Sequence, residues 1–112
     1  MNQKDINASV DYLYTHGQKY AQAKAEVTYL EEYRKSKKAM LMKTAMENGA
    51  KSAAAAEIEA YADVEYIEFL KGLRVAVEKA EGLRWGLVSA QARVEVFRTV
   101  EASNRMMDRA VS

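Results

Sequence analysis

Apolar and small residues recur in the second half of the chain at steps of three or four positions. This spacing places them on one face of an α-helix, which we call the core stripe. A helix from Val64 to Val111 would be roughly 70 Å long, more than the diameter of a compact globule of this length, so a second helix is expected beside it. The core stripe comprises Tyr66, Leu70, Leu73, Val77, Ala80, Leu83, Leu87, Ala90, Val94 and Phe97.

The first half of the chain supplies that second helix, which is predicted over about residues 8–47. Asn7 is the expected N-cap, because its side-chain oxygen can accept a hydrogen bond from a free backbone N–H of the first turn. Gly17 costs about 1 kcal/mol of helix propensity relative to alanine, which leaves a bend or break beside His16 open. The face directed at the core stripe is apolar at first and then charged: Tyr20, Ala23, Val27, Leu30, Arg34, Lys37, Leu41 and Thr44.

Asn48-Gly49 predicts the connection between the helices, over residues 48–51, because glycine accepts the left-handed conformation that ends a helix. Helix 2 is predicted over about residues 52–110, with Ser52 as its cap. Asp63 is a second candidate cap, so a short helix 52–62 followed by a break near 63 remains an alternative. The predicted fold is all-α: a single coiled-coil-like domain, 1–112, formed by an antiparallel hairpin of two long helices.

Charge is distributed in blocks. Residues 34–43 carry five basic side chains and no acidic one, whereas residues 57–68 carry five acidic side chains and no basic one. A turn at residues 48–50 folds these blocks onto each other, as in an antiparallel helical hairpin. We therefore expect ion pairs between them, which set register more than stability because exposed pairs contribute only about 0–1 kcal/mol.

Composition and short motifs limit the classes of function that we expect for this chain. The net charge is +1, and the chain has no cysteine and no proline. No apolar run reaches the roughly 18 residues of a membrane span, and no secretory signal is visible, so we expect a cytoplasmic protein. His16 is the only histidine, and no metal-binding, phosphate-binding or nucleophile motif is present. We expect no enzymatic activity, no cofactor and no metal.

An arginine stripe is the first functional candidate. Arg84, Arg98 and Arg105 are spaced by multiples of seven and share one side of the long helix, and Arg109 extends the row by one turn. Arginines interleaved with aromatic side chains can bind a phosphate backbone and stacked bases. The alternative is a solvated face on which glutamates three or four residues away pair with these arginines.

Aromatic and aliphatic side chains outside the core stripe form the second candidate. Tyr and Trp are enriched at protein interfaces, and exposed apolar patches mark them. Gly82 and Gly86 flank Trp85 and would let another backbone approach. We expect self-association into a dimer or larger bundle through two faces, one with Tyr29, Tyr33 and Met40 and one with Trp85 and Val88.

The segments Leu83-Arg84-Trp85, 90–93, 94–98 and 102–105 resemble small helical proteins carried by temperate phages, some of which are encoded near recombination and single-strand-binding genes. The resemblance covers about residues 60–110. It implies a phage or prophage origin and an accessory role, which would place the protein in the host cytoplasm. Together with the arginine stripe, the first expected function is a non-enzymatic accessory of DNA recombination or replication that binds DNA or a DNA-bound protein. The alternative function is a protein-directed scaffold or inhibitor of a host factor that uses the Tyr and Trp faces.

Overall fold

The computed structural model describes residues 2–111, and this part of the chain is built from three α-helices without a strand. Helix α1 spans Gln3–Glu47, α2 spans Ala53–Ala62 and α3 spans Val64–Val111. The prediction of an all-α helical hairpin is confirmed. The segment after the turn is divided at Asp63, which is the alternative with a short second helix.

Helix α1 begins five residues before the predicted start at residue 8, because Asn2 caps it in place of Asn7. The Asn2 side-chain oxygen accepts a hydrogen bond from the Asp5 backbone N–H at 2.9 Å, and the Asp5 carboxylate accepts one from the Asn2 N–H at 3.3 Å. This reciprocal pair satisfies two backbone donors that the first turn leaves free. The helix then continues through Gly17 without a break.

The turn after α1 is closed by Gly49. Its φ of +104° is a backbone conformation that residues with a Cβ rarely adopt. The Ala50 N–H donates to the Ala45 carbonyl at 3.0 Å, and the Gly49 N–H donates to the Met46 carbonyl at 3.2 Å. These two bonds form the Schellman motif that terminates helices at a glycine. Ser52 then caps α2 by accepting a hydrogen bond from the Ala55 N–H at 3.1 Å.

The chain divides into two compact units. One unit is Gln22–Ala80, and the other combines the described residues up to Ala21 with those from Glu81 onward. In the first unit, Leu41 of α1, Ala60 of α2 and Tyr66 of α3 form a buried cluster, and Met42 packs against it. Small side chains let the three helices approach closely. The buried alanines of this unit are Ala23, Ala45, Ala56, Ala60 and Ala80.

Ion pairs join the basic and acidic blocks within this unit, as predicted. Lys37 bonds to Glu65 of α3 at 3.0 Å, and Lys38 pairs with Glu57 of α2 at 3.4 Å. Adjacent lysines of α1 therefore contact two successive helices. Since Lys37 meets residue 65 and Tyr33 meets Phe69, α1 and α3 are antiparallel here.

The second unit pairs the start of α1 with the later part of α3. Its buried side chains are few and small, except for Ile6: Ile6, Ser9 and Ala90. The core stripe continues here through Leu83, Leu87, Val94 and Phe97, all half-buried. Tyr12 of α1 lies against Gly86 of α3, whereas Gln3 lines a cleft with α3 residues between 95 and 106, so these segments are also antiparallel.

Candidate interaction surfaces

Arg84 differs from Arg98 and Arg105 because its charge is already engaged on its own helix. Its guanidinium contacts the Glu81 carboxylate through both Nε and Nη2 at 3.1 Å. It also lies over the Trp85 ring, 4.8 Å from the ring centroid. A side chain held by a carboxylate and an indole is less available to a phosphate than the sequence pattern predicts.

Arg98 and Arg105 are exposed, and among the described residues 2–111 they form no ion pair. They line one open cleft together with Gln3 of α1, but Glu95 and Glu101 line it too. Arg109 is exposed near the end of α3 and engages in an interaction of its own. The four arginines thus lie on one helix without forming an uninterrupted basic surface.

The face with Tyr29, Tyr33 and Met40 is exposed in the first unit. The rings of Tyr29 and Tyr33 are stacked, with centroids 6.0 Å apart, and Tyr33 continues to Phe69 of α3 at 5.7 Å. Tyr29 is the outer member of this aromatic row, and its ring is available to another protein.

Trp85 and Val88 are exposed on α3 in the second unit, with 59% of Trp85 and 40% of Val88 accessible. The glycines beside Trp85 do not act alike. The face of Gly86 is occupied by the Tyr12 side chain of the same chain, whereas no described neighbour lies within 4 Å of a Cβ built at Gly82. Close approach of another backbone at Gly86, as the sequence suggested, is therefore blocked by Tyr12.

The sequence did not identify a small cleft in the first unit that combines positive charge with two tyrosines. Lys38 lies over the Tyr61 ring at 4.7 Å, and Tyr61 meets Tyr66 edge-on at 5.4 Å. The neighbouring Tyr61 side chain and, less strongly, Glu57 raise the pKa of Lys38 above its ordinary value of 10.5, against the opposing effect of desolvation. Arg34 and Lys35 complete the lining. In the sequence, this cleft is indicated only by the positions of Lys38 and Tyr61 on the two sides of the turn. These positions become neighbours only when the register of the hairpin is known.

The contacts of the His16 side chain are with residues of its own helix. Its ring stacks on Tyr12 with centroids 3.9 Å apart, and its Nδ1 lies 2.9 Å from the Thr15 hydroxyl and 3.2 Å from the Tyr12 carbonyl. Within residues 2–111, no group of three or more His, Cys, Asp or Glu side chains is placed to hold a metal ion. No helix in that part of the chain is long and apolar enough to cross a bilayer.

Of the surfaces that the sequence predicted, the structure exposes the two aromatic and aliphatic faces, and the arginine row is interrupted by carboxylates. The cleft around Lys38 and Tyr61 is a further surface. No protein-family model, no curated protein and no solved structure matches this chain.

Proposed function

We propose that the chain is a non-enzymatic interaction module that binds another protein through its exposed Tyr and Trp faces. The observation that supports this most is the exposure of Trp85, the only tryptophan, beside Val88 on a helix whose core stripe faces elsewhere. Burying a tryptophan contributes large apolar area at low entropic cost, which is why it is common among the residues that dominate binding. A scaffold or an inhibitor of another protein fits such a surface.

The test places a photo-crosslinking amino acid at position 85 or position 29 in cells that express the protein. Gln91 is the matched control, because it is exposed on the same helix but on a different side from Trp85. We expect defined covalent adducts from positions 85 and 29 and none from position 91. Equal adduct formation at all three positions would mean that these faces are not binding surfaces.

DNA binding is the second candidate function. It is supported by the exposure of Arg98 and Arg105, which have no acidic partner among residues 2–111, and by the resemblance to phage accessory proteins. It is less well supported because Arg84 is paired with Glu81 and the net charge is only +1. Filter binding to single-stranded DNA across a salt series separates the two functions, since binding to phosphates weakens steeply with salt.

If DNA is bound, replacing Arg98 and Arg105 with glutamine should lower affinity and flatten the salt dependence by about one unit for each phosphate that is no longer neutralised. Helicity should not change, because exposed arginines contribute little to folding. Wild-type protein without measurable affinity at about 50 mM salt would exclude this second function, since binding to phosphates is strongest at low ionic strength.

A further inference from the structure

Along residues 92–111, helix α3 carries a second face, distinct from the core stripe, that is apolar except for Ser103. We call it the tail stripe. All of its members are exposed, including 57% of Val96, 50% of Val100 and 66% of Met107. Seven charged residues lie in this segment, and none of them interrupts the row. The tail stripe comprises Ala92, Val96, Val100, Ser103, Met107 and Val111.

No part of the described chain covers this face. The core stripe ends at Phe97, and every residue from Arg98 to Val111 is exposed. Gln3, the first residue of α1, already lines a cleft with α3 residues of the 95–106 segment. A helical segment of about 14 residues without packing is marginal in water, so a bound neighbour would stabilise it considerably.

The accessible surface area of the chain also supports an interface with a neighbouring molecule. Its accessible surface is 8437 Å², whereas a compact monomer of 12.6 kDa exposes roughly 6200 Å². The difference of roughly 2200 Å² exceeds the roughly 800 Å² that each partner buries in a standard dimer interface. The molecule therefore has enough uncovered surface for a stable interface with a second copy.

The spacing of the tail stripe matches an identical stripe that runs in the opposite direction. Its steps are 4, 4, 3, 4 and 4, which read the same from either end. In an antiparallel pair, position 92 faces 111, 96 faces 107, and 100 faces 103. This is the self-complementary arrangement of a two-fold symmetric interface.

Charge favours the same register. Arg93 and Asp108 lie on the same flank of the tail stripe, each one residue after a stripe member. Equivalent flanks meet in an antiparallel helix pair, so Arg93 of each copy approaches Asp108 of the other. Antiparallel packing also sets the opposite ends of the two helix dipoles side by side.

We propose that residues 92–111 of α3 form a homodimer interface in which two copies pair antiparallel through the tail stripe. This interface uses none of the residues of the proposed Tyr and Trp faces. An experiment can therefore disprove the homodimer without disproving the binding of another protein, and the reverse also holds.

Analytical ultracentrifugation between about 1 and 100 μM tests the proposal, with Met107→Glu as the disrupting variant. Each dimer would then bury two unpaired carboxylates, so we expect the dissociation constant to rise by about tenfold or more. Arg105→Glu is the matched control, because Arg105 lies two residues away on the opposite side of the helix. A monomeric wild type, or equal effects of the two substitutions, would overturn the proposal.

Two further variants test the register. Arg93→Asp and Asp108→Arg should each weaken the dimer, and the double variant should restore it, since the reversed charges again meet. The chain contains no cysteine. Mixed Val96→Cys and Met107→Cys proteins should therefore form a disulfide-linked heterodimer on oxidation. Disulfides from Val96→Cys alone would instead indicate parallel pairing and contradict the antiparallel interface.

Discussion

Tyr12 lies against the backbone of α3 because position 86 carries no side chain. A Cβ at that position would lie 3.0 Å from Tyr12 Cζ and 3.2 Å from Cε1, and closer still to the hydroxyl oxygen. The Tyr12 ring has little freedom to move away, since it is also stacked on His16. A glycine that lowers the helix propensity of α3 thus serves the packing of α1.

A pair of glycine substitutions measures this packing. Gly82→Ala should stabilise the protein by about 0.5–1 kcal/mol, because alanine is the better helix former and no described neighbour lies within 4 Å of the new Cβ. Gly86→Ala should instead destabilise it by about 1 kcal/mol, since overpacking outweighs the same gain. Urea denaturation gives both values.

The control for this pair is Tyr12→Phe, which removes the hydroxyl nearest to the new methyl group. In that background Gly86→Ala should be less harmful than in the wild type. Equal stabilisation by alanine at positions 82 and 86 would show that the packing of Tyr12 does not require a glycine at position 86.

Asp63 forms the boundary between α2 and α3. Its backbone N–H ends α2 by donating to the Ala60 carbonyl at 3.2 Å, and its carboxylate begins α3 by accepting from the Glu65 N–H at 2.8 Å. Its ψ of 136° is extended, so the two helices are not continuous. The break lets Glu57 and Glu65, on successive helices, meet the adjacent lysines 38 and 37 of α1.

Replacing this cap should destabilise the hairpin. Asp63→Ala removes the side-chain acceptor and favours a continuous helix, so we expect the free energy of unfolding to fall by about 1 kcal/mol in thermal or urea denaturation. Asp63→Asn keeps an oxygen acceptor and should retain most of the stability. If the alanine variant were as stable as the wild type, the cap would not be what fixes this boundary.

For the molecule as a whole, buried area is unevenly distributed between the two units. Gln22–Ala80 contains α2 and parts of α1 and α3, the Leu41–Ala60–Tyr66 cluster and most of the buried alanines. Among its described residues, the other unit buries two apolar side chains, Ile6 and Ala90. Regions with fewer buried apolar groups open at lower free energy, even along one continuous helix.

Native-state hydrogen exchange should reveal this difference within α3. We expect amides of residues 66–80 to be protected at least about tenfold more strongly than those of residues 83–97 at low protein concentration, because the latter open locally. Mass spectrometry of peptides from both segments gives the comparison. Uniform protection along α3 would mean that the helix opens as one cooperative unit.

Local chemistry in the sequence determined the elements of this fold. The spacing of three and four residues, the Asn-Gly turn and the opposed charge blocks were enough to predict an all-α antiparallel hairpin, because helix periodicity, a left-handed glycine and charge pairing act over short distances along the chain. The start of α1 was missed because Asn2 and Asn7 are chemically equivalent caps, and Asp5 completes only the first.

The spacing of residues in the sequence left several side-chain contacts open. Arg84 and Arg98 have the same spacing and similarly placed glutamates in the sequence, yet of the two only Arg84 is paired within the described chain. Gly82 and Gly86 are also indistinguishable by sequence, since the difference lies in Tyr12, which is more than sixty positions away along the chain. Which arginine pairs with a glutamate of its own helix depends on side-chain rotamers. Which backbone is covered depends on the register between helices, and this register is fixed only when the helices pack.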